Sequence, residues 1–236
     1  MPLVDDRGPV RHEQLRAVRW SVRGETKVLG NVDVNDADLS GVVTVGGTLV
    51  AGAIRSDGTV EVAGRVAVAG AWSAAGVVSV GGALSAGSID ARGPVRVGGD
   101  LTVSGAIVSK LRLEVAGDLR AGAARLEGHL TVRGAVEATD LTAMLEVPSR
   151  IGRATGRSFV VRRAGRGPSG LRIQVDRIEA DRVELSGVEA EFVRANAAVL
   201  GPDSRVTRLE CDVVQRHRTA IVGPESRTPR PHGLSR

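Results

Sequence analysis

Tyrosine is absent from this 236-residue chain, and Phe and Trp occur only twice each. A thick globular core draws much of its buried area from aromatic rings. Here the apolar content is Val, Ala, Leu and Ile, which suits a thin, repetitive interior. A single cysteine, Cys211, excludes an intrachain disulfide and a Cys-cluster metal site. No stretch approaches the ~18 consecutive apolar residues of a membrane-spanning helix. The first residues include Asp5, Asp6 and Arg7 and no apolar run, so no signal peptide is read. The expected compartment is the cytoplasm, with the periphery of the inner membrane as the second place.

Lysine is also scarce. Lys27 and Lys110 are the only two, so arginine carries nearly all the positive charge behind the formal net charge of +5. That charge is uneven. Residues 146–170 hold six arginines against one acid, whereas residues 171–213 hold six basic and nine acidic residues. The basicity lies in a break and a tail rather than along the repetitive body.

What the chain has in abundance is glycine, 31 residues, and it recurs with a period. Blocks begin at positions 24, 41, 58, 76, 93, 111 and 128, so the spacing is 17 or 18. From Gly41 the three parts are GVVTVG, GTLVA and GAIRSD; from Gly93 they are GPVRVG, GDLTVS and GAIVSK. Within a part the third and fifth positions are apolar, as in Val60 and Val62 or Val95 and Val97. This period of two is that of a strand with one buried face. The parts are too short for helices, and β-branched Val suits a pleated surface. Glycine marks the corners, where sharp turning and positive φ would favour it.

Three short strands per coil predict a triangular parallel solenoid, each coil touching only its neighbours. The variation between 17 and 18 falls on the second side. Its five-residue versions end in Ala51, Ala86 and Ala121, and two six-residue ones carry Val68 and Val103 there. A short side leaves room only for Ala, and a longer one admits Val. Pro94, the one proline in the six clear coils, sits at the start of a side. Seven such coils at ~4.8 Å would make a rod of about 34 Å.

The expected organisation is a tail over residues 1–23, seven coils over 24–145, a basic linker with one short strand over 146–170, a second, smaller solenoid segment over 171–215, and a basic tail over 216–236. The second segment is read from six pentads, LRIQV, DRIEA, DRVEL, SGVEA, EFVRA and NAAVL, with apolar third and fifth positions.

These features resemble the bactofilins, polymer-forming bacterial cytoskeletal proteins. The coils carry the general likeness. The segments LRIQVDRIEADRVEL (171–185) and VEAEFVRANAAVLGPDSRVTRLE (188–210) are similar to a two-part branch of that family. Asp203-Ser204 and Cys211 stand where relatives tend to have Gly-Cys and an aromatic residue. The resemblance implies a right-handed β-helix and a non-catalytic, self-associating scaffold in cytoskeletal or cell-envelope organisation. It implies no cofactor, metal, small-molecule substrate or specific nucleic acid. The partners would be the chain itself, as homo-oligomer or filament, and envelope proteins or an anionic membrane surface.

Candidate residues follow. Arg150, Arg153, Arg157, Arg162, Arg163 and Arg166 could meet an anionic surface or partner, or could pair with the acidic segment that follows them. Lys27 lies on what the repeat makes the first coil, residues 24–40, and its strand would be a self-assembly edge. The enzyme alternative is a left-handed hexapeptide-repeat acyltransferase, which needs a catalytic histidine at a coil edge. His129, an outward residue beside Gly128, is the one histidine in the repeat, and a solvated surface role is expected for it. Asp33, Asp36 and Asp38 could suggest a calcium loop, but are read as solvated turn residues. Trp72, in column with Ile54, Ile89 and Ile107, is expected inside. Cys211 is expected to face the core of the last strands.

Overall fold

The computed structural model describes residues 2–146, 148–165, 173–223 and 225–226, the last two by backbone only. Among these residues there is no helix, and all pairings of the 21 strands are parallel. The strands stack as a β-solenoid of about 12 turns. At ~4.8 Å per turn the rod is about 58 Å long.

Columns of apolar side chains from three faces fill the lumen. On the first face Val60, Val78 and Val95 stack in register, as do Val62, Val80 and Val97. On the second, Ala51, Val68, Ala86, Val103 and Ala121 stack in that order. The ladder shifts register just after these residues, between Ala51 and Ile54, Ala86 and Ile89, and Val103 and Ala106. Each extra residue of a six-residue side is therefore absorbed as a bulge at the corner, and side length and side-chain volume vary together. The third face stacks Trp20, Ala37, Ile54, Trp72, Ile89 and Ile107. Trp72 is 1% exposed, as expected, and the stacked aliphatic residues of the three faces are buried except Ala121, which is half-buried. Burying each Val or Leu contributes about 1.5–3 kcal/mol.

The corner glycines have a different cause from the one expected. Positive φ occurs only at Gly128, Gly165 and Gly187 among the described glycines. At Gly41 the need is close approach: a Cβ there would lie 1.8 Å from the Gly24 carbonyl oxygen of the coil before it. Stacked corners leave no space for a side chain. Gly128 combines both causes, with φ of 79° and a Cβ position 1.9 Å from the Leu111 oxygen.

Three boundaries are corrected. The N-terminal stretch is not a tail. Val10–His12 pairs with Glu25–Val28, Leu15–Val22 with Val32–Leu39, and Leu3–Asp6 with the end of Leu15–Val22. Its period is 16, with Val10 opposite Thr26, and its corner falls at Gly8, so the 17–18 spacing missed it. The basic linker is not a loop either. Ser149–Arg163 is a full coil, in register with Leu119–Leu145 before it and Ile173–Ser186 after it. Arginines outside and Ile151, Ala154, Phe159 and Val161 inside satisfy the same alternation.

The expected second segment is present, and it continues the same rod. Ile173 pairs with Val188 and Ala190 with Val206, steps of 15 and 16 residues. From Ile173 on, the pentads form triangular coils with five-residue sides. Their shorter perimeter takes Ala190, Ala195 and Ala198 inside. Beyond them, Ile221–Val222 and Glu225–Ser226 pair with Arg205–Arg216, so part of the expected C-terminal tail also belongs to the stack.

Candidate functional site

The solenoid disperses the arginines that are clustered in sequence. Arg150 is on the first face, 3.4 Å from Asp176 of the next coil. Arg153 starts the second face, in register between Ala135 and Arg177. Arg157 stands at the following corner, 2.6 Å from Asp140 of the preceding coil. Arg162 is on the third face, where its Nε donates to Glu184 Oε1 at 3.0 Å. Arg163 ends that strand, half-buried, in register with Leu145. Arg166 lies outside the described residues. These side chains encircle one coil instead of converging on one patch. Three of them pair with carboxylates of neighbouring coils, two in the acidic segment that follows.

Charge ladders of this kind run along the rod. Arg96 Nε donates to Glu114 Oε2 at 2.7 Å, and Arg112 lies 2.6 Å from the other oxygen. The Arg96 hydrogen bond holds the Glu114 carboxyl below the ordinary carboxylate range. Near the C-terminal end, Glu210 accepts from Arg194 and Arg208, both at 2.7 Å, and the Arg194 hydrogen bond lowers its pKa similarly. Beside it stands Phe192, with Arg177, Arg208 and Arg194 guanidinium carbons 4.5, 5.5 and 5.7 Å from the ring centroid. These are cation–π distances. Arg177, Phe192 and Arg208 are partners on successive coils. Sequence reasoning missed this stack, although the signal was present: Arg177 and Arg208 each sit one coil length from Phe192.

Lys27 is not on an edge. Its strand lies between two others, with Lys27 opposite Arg11 on one side and Thr44 on the other. The extra N-terminal coil covers it. The edge belongs instead to Val10–His12 and the start of Leu15–Val22. Behind that edge the lumen is closed by polar groups. Asp6 is 5% exposed, and its Oδ2 accepts from Trp20 Nε1 at 3.0 Å and Thr26 Oγ1 at 3.3 Å, and lies 3.0 Å from His12 Nε2. At the other end Val213 and Ile221 are 60% and 55% exposed.

His129 faces outward, as expected. Its Nδ1 lies 3.3 Å from Glu146 Oε2, beside a groove lined by Leu111, Arg112, Arg125 and Met144. Asp33, Asp36 and Asp38 lie on the strand Val32–Leu39 rather than in a turn. Asp33 is 3.6 Å from Arg16 of the preceding coil. Among the described residues, no group of three or more His, Cys, Asp or Glu side chains is placed to hold a metal. Cys211 follows Ala195 in an inward column, and desolvation pushes its thiol pKa up. No protein-family model, curated protein or solved structure matches the chain.

Proposed function

We propose that the chain is a non-catalytic, self-associating scaffold of the bactofilin type, working in the cytoplasm in cytoskeletal or cell-envelope organisation. The observation that carries this reading is the edge at the N-terminal end. In a parallel stack, alternate residues of a strand bond to opposite neighbours. Here inward residues donate to the following coil, as Leu49 N–H does to Arg65. Outward residues donate to the preceding coil, as Val42 does to Gly24 and Thr59 to Gly41. By that alternation the Arg11 N–H points off the end, and no described strand pairs there. An open edge of constant pitch recruits another strand. Joining unlike ends builds a filament, whereas joining like ends closes a dimer.

The test is sedimentation velocity of wild type and Arg11→Pro. Proline removes the free donor without emptying the lumen. The reading expects concentration-dependent assemblies for wild type and their loss in the variant. A wild type that stays monomeric would end it.

A hexapeptide-type acyltransferase is the second reading, favoured by the His129–Glu146 contact beside Leu111 and Met144. A general base needs such an orienting carboxylate. His129→Ala should leave assembly unchanged. Acyl transfer that wild type performs and His129→Ala lacks would favour the enzyme.

A further inference from the structure

We propose that the third face of the first four coils is a lateral docking surface for a second, antiparallel copy of this chain. The face is built from Leu15–Val22, Val32–Leu39, Leu49–Ser56 and Val66–Ala74, paired in that order. Its outward residues form two columns. One runs Arg19, Asp36, Ala53; the other runs Ser21, Asp38, Arg55, Ser73.

The charges on this face differ from those elsewhere on the rod. Opposite charges on neighbouring coils generally pair with each other: Arg16 with Asp33, Arg96 with Glu114, Arg120 with Glu137, Arg194 with Glu210. Arg19 and Asp36 are register partners, and so are Asp38 and Arg55. All four are exposed, yet none of them has an ion pair or side-chain hydrogen bond among the described residues. They flank a shallow groove of about 530 Å³ with Ser21, Ala37, Ala53, Ile54, Ala71 and Ser73 in its lining. Small side chains between open charges let a second surface approach closely.

The pattern is self-complementary in one orientation. A twofold axis along the strands, between Val32–Leu39 and Leu49–Ser56, sets Asp38 of each copy against Arg55 of the other, twice. The same operation places Arg19 over Ala71, Asp36 over Ala53 and Ser21 over Ser73, and one strand further out it sets Asp5 against Asp90, the one like-charge pair. A twofold axis along the rod and through the second column instead sets Asp38 against Asp38 and Arg55 against Arg55. The charges therefore select antiparallel rods. Four strands at ~4.8 Å and, in each, the four residues beyond the corner at ~3.3 Å give about 250 Å² per copy, below the size of a stable specific interface. The dimer is weak and its ionic part is screened by salt. This contact is independent of the end-to-end one, since it uses neither free edge.

The experiment is sedimentation equilibrium of wild type, Arg55→Glu, Asp38→Arg, and an equimolar mixture of the two variants, at low and high salt. Circular dichroism checks that each remains folded. Each variant alone brings like charges together twice in its own dimer, whereas the mixed dimer regains both opposite pairs. The expected result is a wild-type dimer weakened by salt, each single variant weakened about tenfold or more, and the mixture restored to within about threefold of wild type. Variants that dimerise like wild type, or a mixture that stays as weak as its components, would overturn the proposal. Loss of end-to-end assembly in Arg11→Pro with this dimer retained would separate the two contacts.

Discussion

Trp72 donates its indole N–H to Ser56 Oγ, 3.1 Å away in the coil before it, and both residues are buried. The hydroxyl occupies a column otherwise filled by Leu39, Ala74 and Ala91. A buried indole requires an acceptor. Ser56→Ala should therefore cost about 1–3 kcal/mol in urea unfolding, because the donor is left unpaired. Ser109 stands further along the same column, but its buried hydroxyl has no partner. Ser109→Ala should be neutral or stabilising by up to about 1 kcal/mol. Equal destabilisation by the two changes would contradict this assignment.

The alternation of strand faces predicts opposite outcomes for two adjacent residues. Val97 is buried in the first-face column, while Arg96 points outward to Glu114. Val97→Asp should cost several kcal/mol, on the order of an unpaired buried polar group, and melt the body of the rod. Arg96→Asp should leave the melting temperature nearly unchanged, because exposed ion pairs contribute little and Arg112 still faces Glu114. Thermal melts of both variants check the register.

Acid should weaken the C-terminal coils in a particular direction. The Glu210 pKa is lowered, chiefly by the Arg194 hydrogen bond. A lowered folded-state pKa contributes stability above the unfolded value, about 4.3 for Glu, and that stability is lost as pH falls through the folded value. Wild type should therefore unfold at higher urea than Glu210→Gln near neutral pH, and the gap should close with acidification. A gap that stays constant down to pH 3 would show that the carboxylate charge is irrelevant there.

The dispersed arginines predict no effect of their removal at membranes. Replacing Arg150, Arg153, Arg157 and Arg162 by Gln should leave co-sedimentation with phosphatidylserine vesicles unchanged, because three of the four already face carboxylates. Salt-sensitive binding by wild type that disappears in the variant would restore the anionic-surface reading.

Much of the fold was legible because a solenoid is local: each residue's neighbour lies one coil away in sequence. The alternation of Ala51, Val68, Ala86, Val103 and Ala121 could be read as side length and was found as a bulge. Coils whose corners lack the usual glycine spacing were harder to see. Ser149–Arg163 carries its coil under an arginine-rich exterior, and residues 8–23 carry one with a period of 16. That second miss moved the expected edge from Lys27 to Arg11. Contacts such as Phe192 with Arg177 and Arg208 depend on an exact coil length, which in this half is 15 or 16 rather than 17 or 18.

Electron microscopy of the purified chain tests the self-associating scaffold most directly. The account predicts filaments with a layer line near ~4.8 Å along their axis, the spacing of stacked strands, and no filaments from Arg11→Pro. Isolated rods about 58 Å long at every concentration, with no end-to-end contacts, would contradict it.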